Sequence, residues 1–245
     1  MATEVRNDRR AFMAKEPQTI PCMIHPNFAR KLDETETIKA TQNNGGRFKA
    51  GYLRCAECIL HKSLKDSGVP ENLLRATFEN FSPFDAEEVK FVQEIKFFCV
   101  NSRGFLFLLG RLGTGKSHLA VAALRTFGKG WFIKHNSLLS AHRATYHDKN
   151  AFDPIQRAKA ARLFVLDDLG FSVGGRDELP LLHEVLDYRH EERLPTIITS
   201  NLLYEELAPV LGDRMRDRLR ESTHRVFMFT GDSQRPEARQ RYFKS

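Results

Sequence analysis

One segment of the sequence has the residue types and spacing needed to bind phosphate. Residues 110–117 are Gly-Arg-Leu-Gly-Thr-Gly-Lys-Ser and fit the pattern GxxxxGK[ST] at every fixed position. Glycines let a backbone approach an anion closely, and the N–H groups at the start of a following helix can surround it. Lys116 would then reach the β and γ phosphates of a nucleoside triphosphate, and Ser117 would ligate Mg²⁺.

The predicted nucleotide contacts run through this phosphate loop and into the next residue. They are Gly110, Gly113, Thr114, Gly115, Lys116, Ser117 and His118. Residues 105–109 before the loop are strand-like and residues 117–124 after it are helix-like, which is the setting in which such loops bind phosphate. A chance Gly-rich turn is the alternative, and a second motif downstream counts against it.

That second motif is a pair of carboxylates after an apolar run. Residues 163–166 are strand-like, and Asp167 and Asp168 follow directly. Asp167 would join the shell of the metal, and Asp168 would act on the attacking water. Taken alone, an Asp pair at the end of a strand is more often a helix N-cap. Its position downstream of a phosphate loop favours the catalytic interpretation.

A third strand-like run, residues 196–199, ends in Ser200 and Asn201. Asn201 would orient the lytic water against the γ-phosphate. A turn or a helix cap explains this segment equally well, because Ser and Asn favour both. The order of the three motifs along the chain favours the catalytic role.

These motifs belong to a regular alternation of strand-like and helix-like stretches that begins near residue 70. The predicted strands are 105–109, 131–133, 163–166, 196–199 and 226–229, and the predicted helices are 117–124, 137–146, 178–189 and 204–211. Such alternation predicts an α/β fold with a doubly wound, mostly parallel sheet.

The composition fits a folded chain without a membrane span. The 245 residues are 41% hydrophobic, and no run approaches the roughly 18 apolar residues that a span needs. The first ten residues lack the apolar segment of a secretory signal, so we expect a cytoplasmic protein with no membrane partner. The net charge of +7 suggests attraction to a polyanion without naming one. The basic excess lies in residues 1–70 and 211–245.

Residues 1–70 are polar, yet they hold three of the four cysteines. The candidate zinc ligands form two closely spaced pairs, Cys22 with His25 and Cys55 with Cys58. A two-residue gap lets both side chains of a pair reach one Zn²⁺, and the metal would supply folding free energy that a polar segment lacks. His61 is a rival fourth ligand, and ordinary reduced cysteines are the alternative. Cys99 lies on an apolar stretch and is expected in the core.

We therefore predict a small zinc-binding module at residues 1–70 and a nucleotide-binding domain at 71–245. The segments that link this domain to a known family are residues 68–70, 76–81, 110–117 and 166–170. Their combination resembles AAA+ ATPases, and among them the DnaC/DnaI replicative helicase loaders and the related IstB transposition helpers. The likeness covers about residues 68–235.

This resemblance implies an AAA+ P-loop domain without a substantial C-terminal lid, since little chain follows the last predicted strand. It also implies that Phe78 and Phe81 line the adenine, although core packing is the commoner fate of Phe. Proteins of this kind bind ATP between subunits, and an arginine of the neighbouring subunit completes the site.

The arginine candidates lie in residues 211–220. Arg218 matches the family's finger position, and Arg214 is a second, phosphate-sensing candidate. A solvated helix face with charge pairs is the alternative. A guanidinium that acts on a neighbour's nucleotide suits the spreading charge of phosphoryl transfer, and it requires self-association.

By resemblance, the expected function is an ATPase that loads a helicase. It would bind the replicative hexameric DNA helicase through the zinc module and deliver it to single-stranded DNA as replication begins, with slow, switch-like hydrolysis. The runner-up is an IstB-like ATPase that assembles on duplex DNA and recruits a transposase. A nucleotide-dependent adaptor and a small-molecule kinase are further alternatives.

Candidate DNA contacts have the thinnest support. Five basic residues lie between the second predicted strand and the Asp pair, where relatives often place a DNA-contacting insert: Lys134, Arg143, Lys149, Arg157 and Lys159. Binding through such residues would depend strongly on salt. An ordinary solvated helical face explains them at least as well.

Overall fold

The computed structural model of the chain describes residues 19–21, 29–31, 56–101, 103–148, 151–170, 178–212, 225–231 and 233. The chain divides into two compact units, residues 1–60 and 61–245. The boundary predicted from sequence, residue 70, lies ten residues later. Leu64, which stands between the two positions, is only 2% exposed in the second unit.

The first unit contains a short antiparallel strand pair. Strands β1 (Thr19–Pro21) and β2 (Ala29–Lys31) form it. The predicted ligands Cys22 and His25 fall in the connection between these strands and lie outside the described residues.

The second unit is built on a five-stranded sheet. Its strands are β3 (Phe105–Gly110), β4 (Trp131–Lys134), β5 (Phe164–Leu169), β6 (Thr196–Ser200) and β7 (Arg225–Phe229). Their order is β4-β5-β6-β3-β7, and each pairing is parallel. All five predicted strands are therefore present, and the domain has the predicted α/β fold with a parallel sheet.

The described helices are α1 (Ala56–Asp66), α2 (Ala86–Asn101), α3 (Lys116–Phe127), α4 (His135–Ala144), α5 (Pro154–Ala160), α6 (Glu178–Glu191) and α7 (Tyr204–Leu211). Within the described part of the chain, no helix is long and apolar enough to cross a bilayer. The sequence analysis predicted α3, α4, α6 and α7 but not the other three.

The sheet is covered on both faces, as a doubly wound fold requires. All six residues of β3 are buried, which is typical of a parallel strand between two helical layers. Phe105, Phe107 and Leu109 alternate along β3 and share one apolar cluster with residues of α4, α5, α6 and α7. Helix α3 packs on α2 and contacts β5 and β6.

A buried arginine joins several of these elements. Arg189 of α6 is fully buried and donates hydrogen bonds to Thr196 Oγ1 at 2.9 Å and to the carbonyl oxygens of Ala158, Ala161 and Pro195 at 2.7–2.8 Å. These bonds tie α6 to the end of α5 and the start of β6. A buried donor group of this kind stabilises a fold when all its bonds are made.

We expect Arg189→Ala to lower the free energy of unfolding by about 3 kcal/mol or more, because several buried carbonyls lose their donor at once. Urea denaturation followed by circular dichroism would measure it. Arg143→Ala, on the exposed side of α4, is the matched control and should change stability by less than about 0.5 kcal/mol. Equal effects of the two variants would contradict the structural role of Arg189.

The sheet order brings the three predicted catalytic segments side by side. The phosphate loop follows β3, the Asp pair lies at the end of β5, and Asn201 follows β6. In the order β5-β6-β3 these strands are neighbours and parallel, so their carboxyl ends share one edge of the sheet. Ligands of open α/β sheets bind at that edge.

Candidate nucleotide-binding site

The phosphate loop follows a path that requires glycine. Gly110, Gly113 and Gly115 have φ angles of 121°, 87° and 89°, in the region that side chains disfavour. A Cβ on Gly110 would also collide with the carbonyl oxygen of Phe229 in β7, and one on Gly113 with Oγ of Ser233. Backbone geometry thus explains the two fixed glycines of the sequence pattern, Gly110 and Gly115, and also Gly113 at one of its variable positions.

Lys116 begins α3, and its side chain lies inside the phosphate loop. It is 6% exposed, and Nζ donates to the carbonyl oxygens of Gly110 at 2.8 Å and Arg111 at 2.6 Å. Thr114 Oγ1 also donates to the Arg111 carbonyl, at 3.0 Å. Gly115 gives α3 no side-chain cap, so the helix presents its first N–H groups to the loop. An ammonium beside an open helix N-terminus is suited to hold phosphate.

The segment before α2 packs against the first turn of α3. His118 Nε2 lies 2.8 Å from the Thr77 carbonyl oxygen, and the His118 and Phe81 rings are 5.8 Å apart. Thr77 and Asn80 brace this segment, since the backbone N–H of each donates to the side chain of the other. The predicted contacts Phe81 and His118 are therefore neighbours next to the phosphate loop.

The two predicted adenine-lining residues are both almost fully buried, Phe78 at 8% and Phe81 at 7% exposure. Phe81 lies against His118, whereas Phe78 lies under the ammonium of Lys96 in α2, 5.2 Å from Nζ to the ring centre. Burial of this degree is also what the core-packing alternative expects. An adenine role for the two rings stays a prediction.

The Asp pair lies within β5 instead of after it, because the strand continues to Leu169. Asp167 is 2% exposed, and its Oδ1 accepts a hydrogen bond of 2.8 Å from Thr199 Oγ1. Asp168 has a φ of 59°, and the register with β6 shifts between Leu166 and Leu169. This bulge leaves Asp168 exposed at the edge of the sheet while Asp167 stays buried.

Asn201 and Asp168 are in direct contact at the ends of neighbouring strands. Asn201 Nδ2 donates to Asp168 Oδ1 at 2.9 Å. Thr199 joins the set from β6, since its Oγ1 accepts from the Asp168 backbone N–H at 2.9 Å and donates to Asp167. The sequence analysis missed Thr199 as a site residue, because a threonine inside a β-branched run reads as a strand former.

The side chains at this edge fit a magnesium nucleotide. The carboxylate of Asp167 and the hydroxyl of Ser117 are oxygen ligands of the kind that Mg²⁺ prefers. Lys116 and the loop N–H groups supply positive charge for phosphates. Asp168 offers an exposed carboxylate, and Asn201 offers an amide beside it, so the groups needed to activate and orient a water lie within one hydrogen bond.

Several predicted site residues fall outside the described part of the chain: Arg214, Arg218, Cys22, His25 and Cys55. Cys58 belongs to α1, but its side chain is not described. Among the residues that the structure does describe, no group of three or more His, Cys, Asp or Glu side chains could hold a metal ion. The zinc and finger-arginine assignments therefore stay predictions.

The candidate DNA contacts divide into two groups. Arg157 stacks on Trp131 at 5.0 Å and donates to the Asp66 carbonyl oxygen at 2.7 Å. Lys159 forms an ion pair of 2.8 Å with Glu184. These two cations have partners within the chain and serve packing, which makes them poor DNA contacts.

The other candidates keep the prediction open. Lys134 and Arg143 are exposed, and Lys149 lies outside the described residues.

Cys99 is buried as expected, and burial raises the pKa of its thiol to about 11, which suits an unreactive core residue.

The sequence is similar to those of known proteins. The family model described as IstB-like ATP binding protein matches residues 52–241. The chain is similar to the replicative helicase loader DnaC of Buchnera aphidicola subsp. Baizongia pistaciae, 27% identical over 88% of this chain and 93% of that protein. It is also similar to DnaC of Escherichia coli strain K12, 25% identical over 91% of this chain and 94% of that protein.

Solved structures show the same fold. A crystal structure of the DnaC helicase loader superposes with a TM-score of 0.58 at 22% identity, over 66% of this chain and 100% of that chain.

Proposed function

Because this chain belongs to the IstB-like ATP binding protein family, we propose that it is an ATP-dependent helicase loader. It binds the replicative DNA helicase and delivers it to single-stranded DNA at the initiation of replication. The main support for the proposal is the extent of the sequence similarity to DnaC. The similarity covers 88–91% of this chain, whereas the family match begins only at residue 52. The similarity to DnaC therefore extends into the N-terminal segment before residue 52.

The proposed reaction is hydrolysis of ATP at the edge of the sheet. Lys116 and the loop N–H groups bind the β and γ phosphates, and Ser117 and Asp167 hold Mg²⁺, which would neutralise phosphate charge. Asp168 accepts a proton from a water whose oxygen bonds to the γ-phosphorus as the bond to the ADP oxygen breaks. Asn201 orients that water.

The contact between Asp168 and Asn201 supports a slow, switch-like hydrolysis. Asp168 Oδ1 is engaged by the Asn201 amide, so base and water-orienting group hold each other in this arrangement. Productive hydrolysis then requires the pair to open toward a bound water. A site that waits for such a change responds to its partners, as expected of a loader that releases its cargo.

We also propose that nucleotide is shared between copies of this chain. Arg218, with Arg214, would reach the γ-phosphate of a neighbour's ATP. Mixing Arg218→Ala protein with Lys116→Ala protein tests this, because each variant spares a different half of a shared site. We expect hydrolysis to recover in the mixture, and no recovery would count against a trans-acting arginine.

The N-terminal segment is proposed to hold one zinc ion through Cys22, His25, Cys55 and Cys58. Metal analysis of purified protein should give about one zinc per chain. Cys55→Ala should lower that content to near zero, because three ligands of a structural site hold the metal much more weakly. Cys99→Ala is the matched control, and it should leave the zinc content unchanged. A wild-type protein without zinc and with a folded N-terminal unit would refute this assignment.

The loader assignment is tested by capture of a hexameric replicative helicase on the immobilised full chain, with and without ATP. Cys55→Ala should lose capture if the N-terminal unit makes the contact. Binding of single-stranded and duplex oligonucleotides in ATP then separates the candidates. Preference for duplex DNA without helicase capture would favour the IstB-like transposition role, and neither activity would indicate a different nucleotide-dependent adaptor.

A further inference from the structure

A histidine that the proposed reaction does not use is buried beside the nucleotide site. His135 is the first residue of α4, directly after β4, and it is 1% exposed. Lys134, the residue before it, pairs in register with Asp167 of β5. His135 therefore stands one position further along, at the same edge of the sheet as the Asp pair.

A carboxylate at the start of α6 lies beside the His135 ring. His135 Nε2 lies 3.2 Å from Oε1 of Glu178, which is itself buried. Nε2 and Oε1 are close enough for an ion pair, but their relative orientation is not that of a hydrogen bond. Nε2 is therefore a buried nitrogen without a hydrogen-bond partner. A change in the orientation of the ring would complete a hydrogen bond between these two atoms.

The surroundings of His135 disfavour the charged form of its imidazole. Burial lowers the pKa of His135, and the nearby carboxylates of Glu178 and Asp168 only partly oppose this effect. A neutral ring has one N–H donor, so the contact with Glu178 would be a single directed hydrogen bond and not a diffuse ion pair. Such a bond depends on the orientation of the two side chains, so it forms or breaks when the start of α4 or of α6 moves slightly.

We propose that His135 is a positioning residue for ATP hydrolysis: its Nε2–H bonds to Glu178 when nucleotide occupies the site and so fixes the start of α6 beside Asp168. The inference rests on the ATPase activity proposed above. The bond would connect the end of β4 to the start of α6, next to the end of β5. At that end of β5, Asp168 must break its hydrogen bond with Asn201 before it can accept a proton from water. His135 does not touch the reacting atoms.

The test uses the full chain, three single variants and the double variant His135→Leu/Glu178→Leu. His135→Leu keeps apolar volume but removes the donor, His135→Gln restores an N–H group, and Glu178→Leu removes the acceptor. Each protein is measured for its Kd for a fluorescent ATP analogue, its single-turnover hydrolysis rate and its melting temperature. The matched control is His142→Leu, on the same helix, where the His142 ring contacts the exposed side chain of Tyr146.

We expect His135→Leu to slow hydrolysis about tenfold, with the Kd changed by less than about twofold, as for a coupling that acts on the reaction and not on binding. His135→Gln should recover most of the rate. Glu178→Leu should match His135→Leu, and the double variant should be no slower than either. His142→Leu should hydrolyse ATP at the wild-type rate.

Three results would overturn the inference while the proposed ATPase stands. They are a rate for His135→Leu within about twofold of wild type, a His135→Gln protein as slow as His135→Leu, and losses in Kd that equal the losses in rate. Should His135→Leu fail to fold, the Gln variant and Glu178→Leu decide by the same criteria. A wild-type chain that binds ATP but never hydrolyses it would instead remove the proposed function, and the inference with it.

Discussion

Lys116→Ala is expected to remove measurable ATP binding, with a Kd at least about 100-fold higher than that of the wild type. Nζ is the buried cation of the phosphate loop, and it is held at the loop by the carbonyls of Gly110 and Arg111. Hydrogen bonds from a charged donor to phosphate contribute about 1.5–3 kcal/mol each, and two such bonds account for this loss. Isothermal titration with Mg-ATP would measure it.

A matched control tests whether the effect belongs to the phosphate-loop lysine or follows from removing any positive charge. Lys129→Ala removes an exposed lysine just after the end of α3 and should leave the Kd within about twofold. The melting temperatures of the two variants should be compared, because Lys116→Ala also removes the hydrogen bonds from Nζ to the carbonyls of Gly110 and Arg111. Undiminished ATP binding by a folded Lys116→Ala protein would remove the proposed nucleotide site.

The sheet and the backbone course of the phosphate loop were predictable because each depends on a local pattern. Five apolar runs of strand length sufficed to predict all five strands of the sheet. The phosphate loop was predictable because its glycines meet a backbone requirement that no other residue meets well, as the φ angles of Gly110, Gly113 and Gly115 show.

The fine geometry of the Asp pair was not predictable. The sequence placed Asp167 and Asp168 after a strand, whereas β5 runs through them and bulges. A bulge depends on how two strands align, which a single strand's sequence does not contain. The same holds for Thr199, whose role follows from lying opposite the Asp pair on the neighbouring strand.

Helix α2 was missed for a different reason. Its apolar residues do not form one stripe, since Phe98 is buried while Phe97 and Val100 are 56% and 81% exposed. Sequence periodicity detects a helix through such a stripe, so a helix with apolar residues on several sides escapes it. Helix α5 was missed because seven residues are too few for periodicity, although Asp153 caps its first N–H groups.

Positive charge in the sequence was the least informative feature for predicting DNA contacts. Five basic residues near the Asp pair were equivalent as DNA candidates, yet Arg157 is stacked on Trp131 and Lys159 is paired with Glu184. A planar guanidinium on an aromatic ring serves packing as well as charge. Only the tertiary structure distinguishes a cation used inside the fold from one left for a partner.

Asp168→Asn is expected to slow ATP hydrolysis by about 100-fold to 10,000-fold while ATP binding changes by less than about threefold. The amide keeps an oxygen that can accept the bond from Asn201 Nδ2, so the local geometry survives and only the proton acceptor is lost. Single-turnover hydrolysis with excess protein would give the rate, and titration with a non-hydrolysable analogue would give the affinity.

The neighbouring carboxylate supplies the sharpest comparison for this prediction. Asp167→Asn changes a buried group assigned to Mg²⁺, and it should weaken Mg-ATP binding as well as hydrolysis. Glu192→Gln, an exposed carboxylate after the end of α6, should change neither. If Asp168→Asn hydrolysed ATP at the wild-type rate while Asp167→Asn was inactive, Asp168 would not be the base. The bulge in β5 would then serve only to expose a side chain that the reaction does not need.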